Sequence, residues 1–148
     1  MIINTFSSVS SKHITTMYEH LTPAYISQVA STIFDQIKAT THWSVRGSWG
    51  AHDWRATVYK RMATLAFKVS GLCHKGWVYV CYNEGSDTYE IYFLNGRGAQ
   101  RRLPIEEVYC DNLGEVLDRA IERGDWAEAE YAKRALADSA EKMRAENA

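Results

Sequence analysis

The run "KGWVYVCYNEGSDTYEIYFL", residues 75–94, leaves little freedom of interpretation. Two stretches rich in β-branched and aromatic residues, WVYVCYN and TYEIYFL, flank the polar, Gly-containing EGSD, which predicts an antiparallel hairpin. Upstream, Leu65, Phe67 and Val69 alternate with Ala66, Lys68 and Ser70 as far as Gly71, the pattern of a half-buried strand. Residues Leu65 to Leu94 therefore predict a three-stranded antiparallel meander, to which IEEVYC adds a fourth strand at the edge.

Helical periodicity brackets this sheet. Thr22 can cap a helix with Pro23 at its first position, and Ile26, Val29, Ala30, Ile33 and Ile37 share one face. A shorter helix is expected before it, on Ile14, Met17, Tyr18 and Leu21. Downstream, NLGEVLDRAIERG predicts a helix capped by Asn112 with Glu115 three residues on, stopped by Gly124. Asp125 and Glu128 repeat the capping pattern for a last helix reaching about Arg144, with Trp126, Leu136 and Met143 as its few large apolar groups. Its thin, Ala-rich apolar face also suits pairing with a second copy as a homodimer. The fold class is α+β in a single domain over 1–148. Residues 1–40 are helical, 41–61 form a Trp/Gly-rich connection, 62–110 an antiparallel sheet of three to four strands, and 111–146 two C-terminal helices in a hairpin. The residue 23–39 and 112–123 helices are expected to cover one sheet face.

Cys73, Cys81 and Cys110 make no CxxC pair, the opening "MIINTFSSVSSKH" lacks the apolar core of a secretory leader, and no run has the length of a membrane span. These features predict a cytoplasmic protein with free thiols and no membrane partner.

The connection "THWSVRGSWGAHDWR" carries Trp43, Trp49 and Trp54 among His42, Arg46, His52 and Arg55. Trp43 and Trp54 are expected to bury against the sheet. Trp49, between Gly47 and Gly50, is expected at an exposed turn, where it would form a contact surface with Arg46 and Arg55. His42, His52, Cys73 and His74 are potential metal ligands or catalytic groups, but zinc sites use paired ligands at short spacing and none occurs. Adjacent residues of a strand point to opposite faces, which separates Cys73 from His74 as a nucleophile and base. No catalytic residue, metal or cofactor is therefore assigned.

Arg97, Arg101 and Arg102 flank Gly96 and Gly98 in "NGRGAQRR", a loop whose amides and guanidinium groups suit an anion. Aromatic residues interleaved with Arg also suit stacking on single-stranded bases. Trp77, Tyr79, Tyr82, Tyr89, Tyr92 and Phe93 cannot all lie on the core face of one sheet, although the sequence shows no RNP-type motif.

Charge is split along the chain. Residues 1–103 carry net +5 and residues 104–148 net −6, within a total of −1. The acidic part contains Glu106, Glu107, Asp111, Glu115, Asp118 and Glu122, which on one face would imitate a line of phosphates.

From about Ile33 to Leu94, a helix ending "IFDQI", a Trp/Gly stretch, "LAFKVSG", "KGWVYVCYN" and "DTYEIYFL" follow one another. This resembles small orphan accessory proteins of bacteriophages and other mobile elements, anti-CRISPR proteins among them. The resemblance implies a non-enzymatic protein acting in the cytoplasm of a bacterial host. Its partner would be a host protein or ribonucleoprotein complex, and its role that of a defence-system inhibitor blocking a nucleic-acid-binding surface. The residues leave two alternatives open: a single-stranded nucleic-acid binder using Trp and Arg, and a small-ligand or metal-dependent enzyme.

Overall fold

The computed structural model describes residues 20–147. The short helix expected on Ile14 to Leu21 falls largely on residues 1–19, outside the described residues.

Helix α1 (Pro23–Thr40) begins as its sequence requires. Thr22 is extended, its hydroxyl accepts from the Tyr25 amide at 3.2 Å, and Pro23 occupies the first turn. Ile26, Ala30, Ile33 and Ile37 are buried on one stripe. Five strands follow in a meander: β1 (His52–Tyr59), β2 (Met62–Ser70), β3 (Lys75–Asn83), β4 (Thr88–Leu94) and β5 (Ile105–Val108). They lie in the order β1-β2-β3-β4-β5 and every pairing is antiparallel.

The sheet thus has five strands rather than three to four, and the extra one comes from the supposed connection. Residues 41–61 hold a short helix α2 (Trp43–Trp49) and then β1. His42 caps α2 through its ring nitrogen, and Gly50, at φ 62°, ends it. β1 turns into β2 through Lys60 and Arg61, both at positive φ (49° and 66°), between the paired residues Tyr59 and Met62. This is a two-residue hairpin with both central residues left-handed, built from Lys-Arg where Asn-Gly is the usual signal.

Residues alternating along the strands put Ala56, Leu65, Phe67, Val78, Val80, Ile91 and Phe93 on one face, packed against the α1 stripe. Trp49 belongs to this core. It is 0% exposed, its indole N–H donates to the Asp118 carboxylate at 2.9 Å, and it stacks on Phe67. The expectation for the three Trp residues is therefore reversed at two of them. Trp43 is 71% exposed, whereas Trp54 is half-buried and stacks on Phe67 as expected. Helix α2 rotates Trp49 inward, which a turn would not have done.

After β5, α3 (Leu113–Asp118) runs into a π-helical turn, Arg119–Arg123. Asn112 makes no side-chain cap for α3 and instead accepts from the Tyr109 amide. The π-turn presents its carbonyls outward. Ile121 accepts from the amides of Cys73 (2.9 Å) and His74 (3.2 Å), and Ala120 accepts from Arg102. The backbones meet so closely that a Cβ on Gly71 would lie 2.1 Å from the Ile121 oxygen. Glu122 is drawn into this junction. It is 6% exposed, and its carboxylate accepts from the Leu72 amide (2.9 Å) and the Tyr131 hydroxyl (2.7 Å).

Helix α4 (Glu128–Glu146) starts without a side-chain cap, so Asp125 does not perform the role its spacing suggested. None of its residues is buried. It is tethered by Tyr131 to Glu122, by Arg134 over the Trp126 ring, and by Lys142 to the Ser70 carbonyl. No helix among the described residues is long and apolar enough to cross a membrane.

Two substitutions test this packing by urea denaturation. Trp49→Phe is expected to cost about 1–3 kcal/mol by leaving Asp118 without its donor, whereas Trp43→Ala stays within about 0.5 kcal/mol. Gly71→Ala is expected to cost about 2–3 kcal/mol, because backbone must separate from backbone.

Candidate functional site

The helices α1 to α3 occupy one side of the sheet, and the alternation of the strands sends a second set of side chains to the other. Pairing register brings that set together. Arg55 lies across from Ala66, Ala66 from Tyr79 and Tyr79 from Tyr92, while Lys68 lies across from Trp77. Thr64, Ala66 and Cys81 also point this way, yet each is buried. They are small, and larger rings lie over them.

Those rings form a continuous set. Tyr59 meets Tyr79 and Tyr92 edge-on, each with centroids 5.0 Å apart, and Trp77 meets Tyr79 at 6.2 Å. Three cations lie on the rings: Arg55 and Lys68 over Trp77 at 5.1 and 5.5 Å, and Lys60 over Tyr92 at 4.6 Å. Among the described residues none of these three has a carboxylate within ion-pair distance. The one acid in the set, Glu90, is occupied by the Tyr92 hydroxyl (2.8 Å) and the Asn83 amide (2.7 Å). Tyr59, Lys68, Trp77 and Tyr79 keep part of their surface in solvent, and Arg55 and Lys60 are exposed. Burial raises the Tyr79 and Tyr92 hydroxyls above the usual phenol range, so both stay protonated near neutral pH. Burial likewise pushes the Cys81 thiol up to about 12, which leaves it inert.

The residues singled out from sequence scatter over other roles. Trp49 is core. Arg46 donates to the Thr41 carbonyl and hydroxyl, both at 2.8 Å, and fastens the α1–α2 junction. Only Arg55 of that group reaches the ring platform. Of the acidic residues, Glu106, Glu107, Asp111 and Glu115 are exposed, whereas Asp118 is bound to Trp49 and Glu122 is buried. The acidic surface therefore has four members rather than six. In the Gly loop, the Asn95 side chain accepts from the amides of Arg97 (2.8 Å) and Ala99 (3.0 Å), so these amides are not free to hold an anion.

His42, His52, Cys73 and His74 do not converge. His42 caps α2, and His52 bonds the Gly50 carbonyl. Cys73 Sγ donates to the Glu122 carbonyl, and burial raises its pKa. His74 is buried, with Nε2 bonded to the Trp77 carbonyl at 2.9 Å and its ring edge-on to Phe93. Among the described residues no group of His, Cys, Asp and Glu has the arrangement of a metal site.

The sequence pointed to Trp77, Tyr79 and Tyr92 as a ring set but not to the face that collects them. It missed Lys68 altogether, although a Lys alternating with Phe67 and Val69 is the mark of an outward position. No protein-family model matches the chain, and neither a curated protein nor a solved structure matches it.

His74 gives this region a pH signature. Desolvation lowers its proton affinity below the ordinary value of 6.5, with Arg102 and Arg101 acting in the same direction. The folded state then favours the neutral ring. Its contribution to stability is complete above pH 6.5 and is lost as the pH falls through the lower folded value. Urea midpoints measured from neutral to mildly acidic pH should fall more steeply for the wild type than for His74→Gln. Parallel curves would remove His74 as the cause.

Proposed function

We propose that the protein binds single-stranded nucleic acid on the ring platform formed by β1 to β4. The observation that carries this reading is the coincidence of partly exposed Trp and Tyr rings with Arg55, Lys60 and Lys68, none paired to a carboxylate. A strand supplies both complements at once: flat bases for Trp77 and Tyr79, and phosphates for the three cations. A duplex buries its base faces in its own stack, so the same surface favours unpaired strands. Rings contact π-faces rather than base edges, and sequence preference is therefore modest.

This reading places the ligand on the positive part of the chain. The alternative of an inhibitor docking on a basic host groove relied on a six-residue acidic surface, of which Asp118 and Glu122 are already engaged inside the fold.

Fluorescence anisotropy with a labelled single strand tests the proposal. Trp77→Ala should weaken binding by about 1–3 kcal/mol, the range for losing one stacked base, while Trp43→Ala, remote from the sheet face, leaves it unchanged. Binding should weaken with salt, and Lys68→Gln should reduce the logarithmic salt slope by about 0.7. Equal affinity of the wild type and Trp77→Ala would refute the platform.

A further inference from the structure

A second feature lies at the end of the sheet nearest Trp77. The β2–β3 loop and the strand-like segment entering β5 enclose a small cavity of about 310 Å³, lined by Leu72, Cys73, His74, Lys75, Arg101 and Arg102. It is at the small end of ligand cavities. Its lining includes three permanent cations and a histidine, with no carboxylate.

Each wall is held in place. Arg101 is positioned by its backbone amide, which donates to the Phe93 carbonyl at 2.7 Å, and its guanidinium has no ion-pair partner among the described residues. Arg102 Cζ lies over the Phe93 ring, 4.0 Å from its centroid, and the guanidinium donates to the Ala120 carbonyl, which holds it in the cavity wall. Lys75 donates to the Gly71 carbonyl at 3.1 Å. The one carboxylate near it, Asp138 of α4, stands 4.0 Å away and is closer to Lys142, at 3.0 Å. Both arginines line the cavity together with His74, and both disfavour its protonated form.

Three cations lining one cavity, with no carboxylate among its walls, suit an anion of high charge density. A phosphomonoester carries close to two negative charges near neutral pH and three acceptor oxygens, more than a backbone diester offers. Only Gly76 separates Lys75 from Trp77, so a strand stacked on the platform can end here.

We propose that this cavity is a phosphate site that seats the terminal phosphomonoester of a strand laid on the platform. The strand clause rests on the single-strand reading above, whereas the phosphate clause stands without it. The shared chemistry is the phosphate dianion, and free inorganic phosphate is the other source.

The test has two arms. In the first, inorganic phosphate is titrated into the full chain while the arginine side-chain resonances are followed by NMR. Arg101 and Arg102 should shift in the wild type, and the Arg102 shift should be lost or reduced in Arg101→Ala. In the second, short oligonucleotides with a 5′-phosphate, a 3′-phosphate or hydroxyls at both ends are compared. One phosphorylated form should bind on the order of tenfold more tightly than the hydroxyl form, the scale of one charge-assisted hydrogen bond. Arg101→Ala should erase that preference and Arg97→Ala, outside the cavity, should keep it. Phosphate shifts with no strand binding would overturn the strand clause together with the platform. Strand binding with no preference for either phosphate, and no response to inorganic phosphate, would overturn the cavity as a phosphate site and leave the platform standing.

Discussion

The contact on which the molecule depends is made by backbone against backbone, between the π-helical turn at 119–123 and the loop at 71–74. The wider turn gives the Gly124 amide to Arg119 and so frees the Ala120 carbonyl, while Ile121, in the last turn before Gly124, has no partner within the helix and accepts two amides from the loop between β2 and β3. Gly71 permits the approach and Glu122 closes it by taking the Leu72 amide. With Trp49 bonded to Asp118 at the other end of α3, the helical layer is fixed to the sheet at two polar points as well as by its apolar stripe. Polar groups buried in such a junction must all be satisfied, and among the described residues no buried side-chain donor or acceptor is left without a partner.

Fixing all of α1 to α3 on one side has a consequence for the other. A five-stranded sheet has two faces, and the second must be made compatible with water by its own side chains. Here the solution is amphipathic. Tyr and Trp rings cover the small residues Thr64, Ala66 and Cys81, while hydroxyls and flanking cations meet the solvent. The same choice suits the face to the proposed ligand, because rings edged with cations that lack a carboxylate partner complement a ligand with both π-faces and negative charge. Structure and proposed activity therefore draw on one set of residues.

What the sequence made legible follows local rules, and what it hid depends on distant partners. The β3–β4 hairpin, the Thr22–Pro23 helix start and the apolar stripe of α1 are set by neighbours within a few residues. β1 escaped because its turn is Lys60–Arg61, lacking the Gly or Asn that normally marks left-handed turn positions, and because Asp53, at φ 57°, breaks its alternation. Trp49 was misplaced because two glycines suggested a turn, whereas only Gly50 ends a helix. The π-turn had no local signal at all: its reason is the loop fifty residues earlier. Glu122 read as one more surface acid on a helix, since nothing in its neighbourhood announces the Leu72 amide it serves. The ring platform was half visible, as an excess of aromatics over what one core face can take, and only the register showed which rings share a side.

The charge split acquires a spatial meaning from this arrangement. A chain of net charge −1 is a poor candidate for a polyanion binder if charge is spread evenly. It is not spread evenly. The cations of β1, its turn and β2 sit on the face opposite α1 to α3, whereas exposed Glu115 and Asp111 belong to the helical side and Glu106 and Glu107 to the far edge strand. On the helical side Glu115 pairs with Arg119 and Asp35 with Lys38, whereas the platform cations have no carboxylate partner among the described residues and would attract the proposed strand. At an ionic strength where the screening length is about 10 Å, only the nearer set of charges acts on it. Overall neutrality therefore does not argue against the platform. Under the proposed reading, affinity depends on a few local cations rather than on the isoelectric point.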